Sequence, residues 1–146
     1  MSIVLLTGGT GFIGKALVKE LLREGHHLLL FVRDQERAKN SLQALTDSQL
    51  NRVQFLQGDL VKAGLGLNEK DTGLALTAEV LIHAGGPMNI ELDEMTAKRT
   101  FLNGTREIAD LAKRIHDNKG LQHFIHFVGY MSPFVDSLSD NLFTTE

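Results

Sequence analysis

Residues 3–14 read Ile3-Val4-Leu5-Leu6-Thr7-Gly8-Gly9-Thr10-Gly11-Phe12-Ile13-Gly14, and this stretch decides the fold. Five mostly branched apolar residues form a short run that breaks at a glycine pair. Helical spacing then takes over from Gly11 to Glu24, with Ile13, Leu17 and Leu21 on one side and Ala16 and Val18 flanking it. Gly8, Gly11 and Gly14 stand at G-x-x-G-x-x-G spacing across the strand-to-helix turn. The first glycine makes the tight turn, the second admits a pyrophosphate against the backbone, and the third lets helix and strand pack closely. Free N–H groups at the helix start and the helix dipole favour an anion there. A turn of three glycines can be only a turn. Its place in the first strand–helix unit is the context that marks a dinucleotide site. The whole segment Gly8, Gly9, Thr10, Gly11, Phe12, Ile13 and Gly14 is therefore a candidate cofactor contact.

Outward from this unit, apolar runs and helical patterns alternate. Gly25 closes the first helix, and Leu28–Arg33 is a second strand. Gln35 to about Leu50 reads as a helix with Ala38, Leu42 and Leu45 on its buried face. Arg52–Gln57 is a third strand, followed by a loop rich in glycine and a short helix near Leu74. Glu79–His83 is a fourth strand, and Leu92 to about Asn118 a long helix burying Leu102, Ala109, Ala112 and Ile115. Gln122–Val128 is a fifth strand. Near-continuous apolar strands separated by helices imply a parallel sheet covered on both faces. Right-handed connections then favour an α/β, Rossmann-type, doubly wound sheet of order 3-2-1-4-5.

The 146 residues suit one domain, here 1–146, with 42% hydrophobic and 23% charged residues. Net charge is −3 and the basic residues are scattered, so nothing points to nucleic acid. There is no cysteine, hence no disulfide framework or thiolate chemistry. No apolar run reaches the roughly 18–20 residues of a membrane span. The apolar start lacks the basic flank of a signal peptide, and a soluble, cytoplasmic location is expected. His26, His27, His83, His116, His123 and His126 lie on different elements, and His123 and His126 face opposite sides of their strand. No metal site is expected.

The ordered motifs Thr7-Gly8-x-x-Gly11-x-x-Gly14, Arg33-Asp34, Gly58-Asp59-Leu60, His83-Ala84-Gly85-Gly86 and Asn103-Gly104-Thr105 resemble those of the extended short-chain dehydrogenase/reductases. Leu5-Leu6-Thr7-Gly8, Phe31-Val32-Arg33 and Gly58-Asp59-Leu60 with Leu65-Gly66-Leu67 look most like the male-sterility-type, thioester reductase-like branch. The resemblance implies cofactor contacts at Asp59 and Leu60, with the carboxylate accepting from the adenine amino group. It implies others at Ala84, Gly85 and Gly86, where strand four ends. Asn103 is expected to turn an amide inward. Gly104 in mid-helix costs roughly 0.5–1 kcal/mol relative to Ala, which a close helix–sheet approach would explain. Arg33 can pair with a 2′-phosphate, with Arg37 one turn later adding charge. Asp34 is expected to cap the second helix. NADP is thus favoured over NAD.

Members of this superfamily reduce a carbonyl with a Tyr-x-x-x-Lys pair and a Ser or Thr after strand five. Hydride transfer needs such a proton donor beside the developing alkoxide. Here the single tyrosine, Tyr130, is followed four residues later by Phe134, and Gly129 fills the hydroxyl position, with Ser132 nearby. No catalytic residue is therefore assigned. The chain is expected to be an N-terminal piece of a longer protein, cut after strand five and inactive alone. Three functions follow. One is the cofactor-binding portion of an NADP-dependent reductase of carbonyls or acyl thioesters, with a small-molecule substrate held by the full-length protein. The others are a nucleotide-sugar epimerase or dehydratase and a non-catalytic NADP sensor or scaffold. The long helix is a possible homodimer face.

Overall fold

The computed structural model describes residues 1–86 and 93–127. Leu92, Gly129, Tyr130, Ser132 and Phe134 lie outside the described residues. Five parallel strands, β1 (Ile3–Thr7), β2 (His27–Val32), β3 (Val53–Gln57), β4 (Val80–His83) and β5 (His123–His126), form one sheet of order β3-β2-β1-β4-β5. This is the expected doubly wound order. The register sets Leu5 beside Leu29 and Leu81, and Thr7 beside Phe31 and His83. The carboxyl ends of β1, β2 and β4 therefore meet along one edge. The order reverses between β1 and β4, which is where ligands bind in such sheets.

The unbroken apolar runs separate by parity, because successive strand side chains face opposite ways. Val4, Leu6, Leu28, Leu30 and Ile82 pack under helix α1 (Phe12–Arg23) and helix α2 (Gln35–Ser41), with Val18, Leu22, Ala38 and Leu42. Leu5, Leu29, Phe31, Leu56 and Leu81 face the other way. They pack with Ala75 of α4 (Glu69–Ala75) and with Ile108, Leu111, Ala112 and Ile115 of α6 (Gly104–Lys119). No helix among the described residues is long and apolar enough to cross a membrane.

Three helical expectations need correction. The buried face of α1 is Gly14, Val18 and Leu22, whereas Ile13 is 52% exposed. Gly14 packs against the Gly8–Gly9 backbone with no room for a Cβ, and that contact fixes the rotation of the helix. Positions i+4 and i+8 from Gly14 then face the sheet, leaving Leu17 and Leu21 on its flank. The segment 35–50 is two helices. The first ends at Ser41, and after a turn Thr46 opens α3 (Asp47–Leu50) with a reciprocal capping box to Gln49.

The long helix is likewise composite. Helix α5 (Glu94–Ala97) passes through a π-helical turn, Lys98–Asn103, into α6. Such a turn inserts a residue and rotates everything after it. Leu102, within that turn, faces outward, and burial resumes at Gly104, Ile108 and Leu111, with Ala109 exposed beside this stripe.

Gly25 has φ 87°, the left-handed value expected of a helix-closing glycine. A second clamp comes from Arg52, just before β3. Its guanidinium donates to the Leu22 carbonyl at 2.7 Å and the His26 carbonyl at 3.3 Å.

Candidate dinucleotide site

A cavity of about 860 Å³ opens at the carboxyl edge of the sheet, within the usual range of small-molecule sites. Thr7, Gly8 and Thr10 form its inner wall, Arg33, Asp34 and Arg37 one end, and Asp59 and Leu60 its side. Gly85 and Gly86 close it from β4, and Lys15, Thr96 and Thr100 complete the rim.

The glycine loop is built by backbone contact. Gly8 has φ 76°, and a Cβ there would overlap the Ala84 carbonyl. Gly11 N–H donates to the Gly8 carbonyl at 3.0 Å, closing the turn, and Gly11 then stands in extended conformation before α1. No acidic side chain occupies the first turn of α1. Its first N–H groups have no intrahelical acceptor and the dipole is uncompensated, so the helix start suits an anion. Gly9 is buried against Leu30 and Val18. Phe12 is 90% exposed. Gly9, Gly11, Phe12, Ile13 and Gly14 thus shape the loop without lining the cavity.

Arg33 follows β2, and Arg37 lies one turn into α2. Asp34 between them is the N-cap, its carboxylate accepting the Arg37 backbone N–H at 3.0 Å, as the sequence led us to expect. Arg33 also borders a smaller cavity of about 290 Å³ with Asp59, Lys62 and Asn68. Two cations, Arg33 and Lys62, therefore flank the same wall.

The Asp59–Leu60 segment owes its shape to Gly64-Leu65-Gly66, which all take left-handed backbone with φ near 60°. The buried Leu65 side chain anchors this turn in the core, and its carbonyl accepts the Asp59 N–H at 2.7 Å. The Asp59 carboxylate itself accepts the Val61 N–H at 3.1 Å. Gly104 approaches Leu60, where a Cβ would lie 3.2 Å from the Leu60 carbonyl. The mid-helix glycine thus serves close packing, as expected, but against this loop. Asn103 is exposed and does not line the cavity, so the inward-facing amide is not observed. The π-turn has rotated it away and brought Thr100 to the rim instead.

Thr7 and His83 also meet at this edge, although sequence reasoning treated them only as motif letters. Both are buried, and Thr7 Oγ1 lies 2.6 Å from His83 Nδ1. The Gly85 N–H donates to the same Oγ1 at 3.1 Å. The His83 ring packs on His126 with centroids 4.8 Å apart. Burial, with the His126 ring beside it, pulls the His83 pKa from 6.5 down to about 4. Adjacent register in a parallel pair was the signal available, since both residues end their strands. Lys15 and Lys62 were also missed. Lys15 is one residue past the last glycine, a position the fingerprint leaves unspecified. Among the described residues no group of three His, Cys, Asp or Glu side chains could hold a metal.

Comparison with known proteins accords with this geometry. The male sterility protein family, a family of NAD-binding domains, matches residues 6–144. A PKS-NRPS hybrid synthetase, cheA of Chaetomium globosum, is 32% identical over 127 residues, covering 86% of this chain and 3% of the synthetase. The fatty acyl-CoA reductase wat of Drosophila melanogaster is 29% identical, covering 82% of this chain and 26% of its own length. The terminal R domain from the myxalamid PKS-NRPS pathway superposes with a TM-score of 0.72 at 24% identity, covering 91% of this chain and 38% of that one. The chain therefore spans only a minor part of each of these proteins. By sequence match and by the fold and loop geometry, the chain belongs to the male sterility protein family of NAD-binding domains.

Proposed function

We propose that this chain is the cofactor-binding portion of an NADP-dependent reductase whose full-length form acts on a carbonyl or acyl-thioester substrate. The observation that carries the choice of NADP is the pair Arg33 and Arg37 at one end of the cavity, with Asp34 turned to capping α2. A dinucleotide fits the cradle. Gly8, Gly85 and Gly86 line it without side chains, and the start of α1, with no acidic residue in its first turn, faces a site for the pyrophosphate. When bound, the nicotinamide would supply the hydride. Gly8 and Thr10 with the start of α1 would hold the pyrophosphate, Asp59 and Leu60 the adenine, and Arg33, Arg37 and Lys62 the 2′-phosphate.

The acyl-thioester class is supported by likeness to a fatty acyl-CoA reductase and to a PKS-NRPS hybrid synthetase. The chain carries no Tyr-x-x-x-Lys pair, and no proton donor is assigned among its residues. Calorimetric titration of the native chain and Arg33→Ala with NADPH and NADH tests the reading. Native binding that prefers NADPH, with the preference lost in the variant, supports it. Equal affinity of the native chain for both cofactors would refute the NADP assignment, and no binding by the chain or its full-length parent would refute the function.

A further inference from the structure

The ends of β1 and β4 touch backbone to backbone at the cavity floor. A Cβ on Gly8 would overlap the Ala84 carbonyl, and one on Gly85 would lie 3.0 Å from Thr7 Oγ1 and 3.2 Å from the Gly8 nitrogen. Ladder pairing continues one step past the strands, with the Ala84 N–H donating to the Thr7 carbonyl at 3.2 Å. Beyond that step, the Thr7 hydroxyl is the side-chain group that holds Gly85, accepting its N–H at 3.1 Å. Gly8 and Gly85 both line the cavity, so the way they pack against each other shapes its floor.

A hydroxyl has one proton and two acceptor sites. With Gly85 donating to Oγ1, the Thr7 proton is free to point at His83 Nδ1, 2.6 Å away. That direction requires an unprotonated Nδ1, so the imidazole must be the neutral tautomer with its proton on Nε2. Were Nδ1 to carry hydrogen, Oγ1 would face two donors. Its own proton would then be buried without an acceptor, a costly arrangement.

We propose that His83 is a positioning residue of the dinucleotide site: its neutral Nδ1 fixes the Thr7 hydroxyl, which holds the Gly85 N–H and sets the spacing between the glycine loop and the end of β4. This role rests on the cofactor reading above. Burial of His83 keeps the ring neutral at physiological pH, in keeping with that tautomer.

The test has two arms. Long-range 1H–15N NMR of the histidine-labelled native chain at pH 7.5 reads the tautomer directly. A neutral ring with unprotonated Nδ1 is expected, and a protonated Nδ1 would overturn the proposal. The second arm measures Kd for NADPH and for adenosine 2′-monophosphate, which has the Arg33 end of the cofactor but neither phosphate of its pyrophosphate nor its nicotinamide. His83→Leu should weaken NADPH about tenfold, the equivalent of about 1.4 kcal/mol, and leave the monophosphate unchanged. His83→Asn places an amide oxygen near the Nδ1 position and should restore NADPH binding to within about threefold. Thr7→Val should repeat the selective loss and serves where His83→Leu does not fold. Equal weakening of both ligands, or unchanged NADPH affinity in folded variants, refutes the role of His83 alone. A native chain and parent protein that bind no NADPH refute the cofactor reading and this role together.

Discussion

Gly14, at the start of α1, lies so close to the Gly8 carbonyl that a Cβ on Gly14 would overlap it. The neighbouring atoms are backbone, which cannot yield as a flexible side chain would. Gly14→Ala must therefore push α1 away from the loop. Overpacking of this kind costs about 1–3 kcal/mol. The cost should appear as a lower urea midpoint, together with at least a tenfold loss of NADPH affinity. Wild-type stability and affinity in this variant would mean that the contact does not define the loop.

That contact also explains how much could be read from sequence. The glycine spacing located the turn, and the apolar runs were enough to order the sheet, because strands buried on both faces need no fine pattern. The rotation of α1 was not legible. Ile13, Leu17 and Leu21 have helical spacing as good as Gly14, Val18 and Leu22, and only the Gly8–Gly14 contact chooses between them. Leu102 was misplaced for a similar reason, whereas Ala109 simply lies off the face of α6 that carries Ile108, Leu111 and Ile115. The π-turn at Lys98–Asn103 shifts the register, and a period of 3.6 carried across it fails. Most cavity-lining positions follow strand ends and so were visible as motif letters. Lys15, Lys62, Thr96 and Thr100 depend on loop and helix geometry that no short motif encodes.

Asp34 separates two explanations of the cavity's charge. As N-cap of α2 it accepts the Arg37 N–H, so Asp34→Ala should cost about 1 kcal/mol of stability. It should also raise the preference for NADPH over NADH, because a carboxylate beside Arg33 opposes a phosphate. Were Asp34 instead a ribose ligand of NAD, the same variant would lose NADH affinity. Chemical denaturation and calorimetry on one preparation decide the matter.

Arg52 ties three elements together from the start of β3. Helix-terminal carbonyls lack intrahelical donors, and a cation at the C-terminal end of α1 also complements its dipole. Its hydrogen bonds to Leu22 and His26 are part-buried. Arg52→Met keeps the apolar stem and removes the donors, so it should cost about 1–2 kcal/mol with cofactor affinity preserved. A midpoint unchanged from the native chain would show that water replaces the guanidinium without loss.

The buried His83 makes stability depend on pH in a defined window. Its folded pKa, lowered from 6.5 to about 4 by burial and the His126 ring, lies below the value of the unfolded chain. Between those values the unfolded state binds more protons, so lowering the pH favours unfolding. The contribution is complete above about pH 6.5 and is lost as the pH falls toward 4. Asp93, Asp117 and Glu20 have lowered carboxyl pKa values through hydrogen bonds to Thr96, Lys113 and Arg23, so their contributions fall away at lower pH. His83→Asn does not titrate, and it leaves those carboxylates in place. The difference in urea midpoint between native and variant should therefore shift against the native chain from pH 6.5 downward and flatten below 4. Parallel profiles across that range would show that His83 titrates normally and is not held neutral by its surroundings.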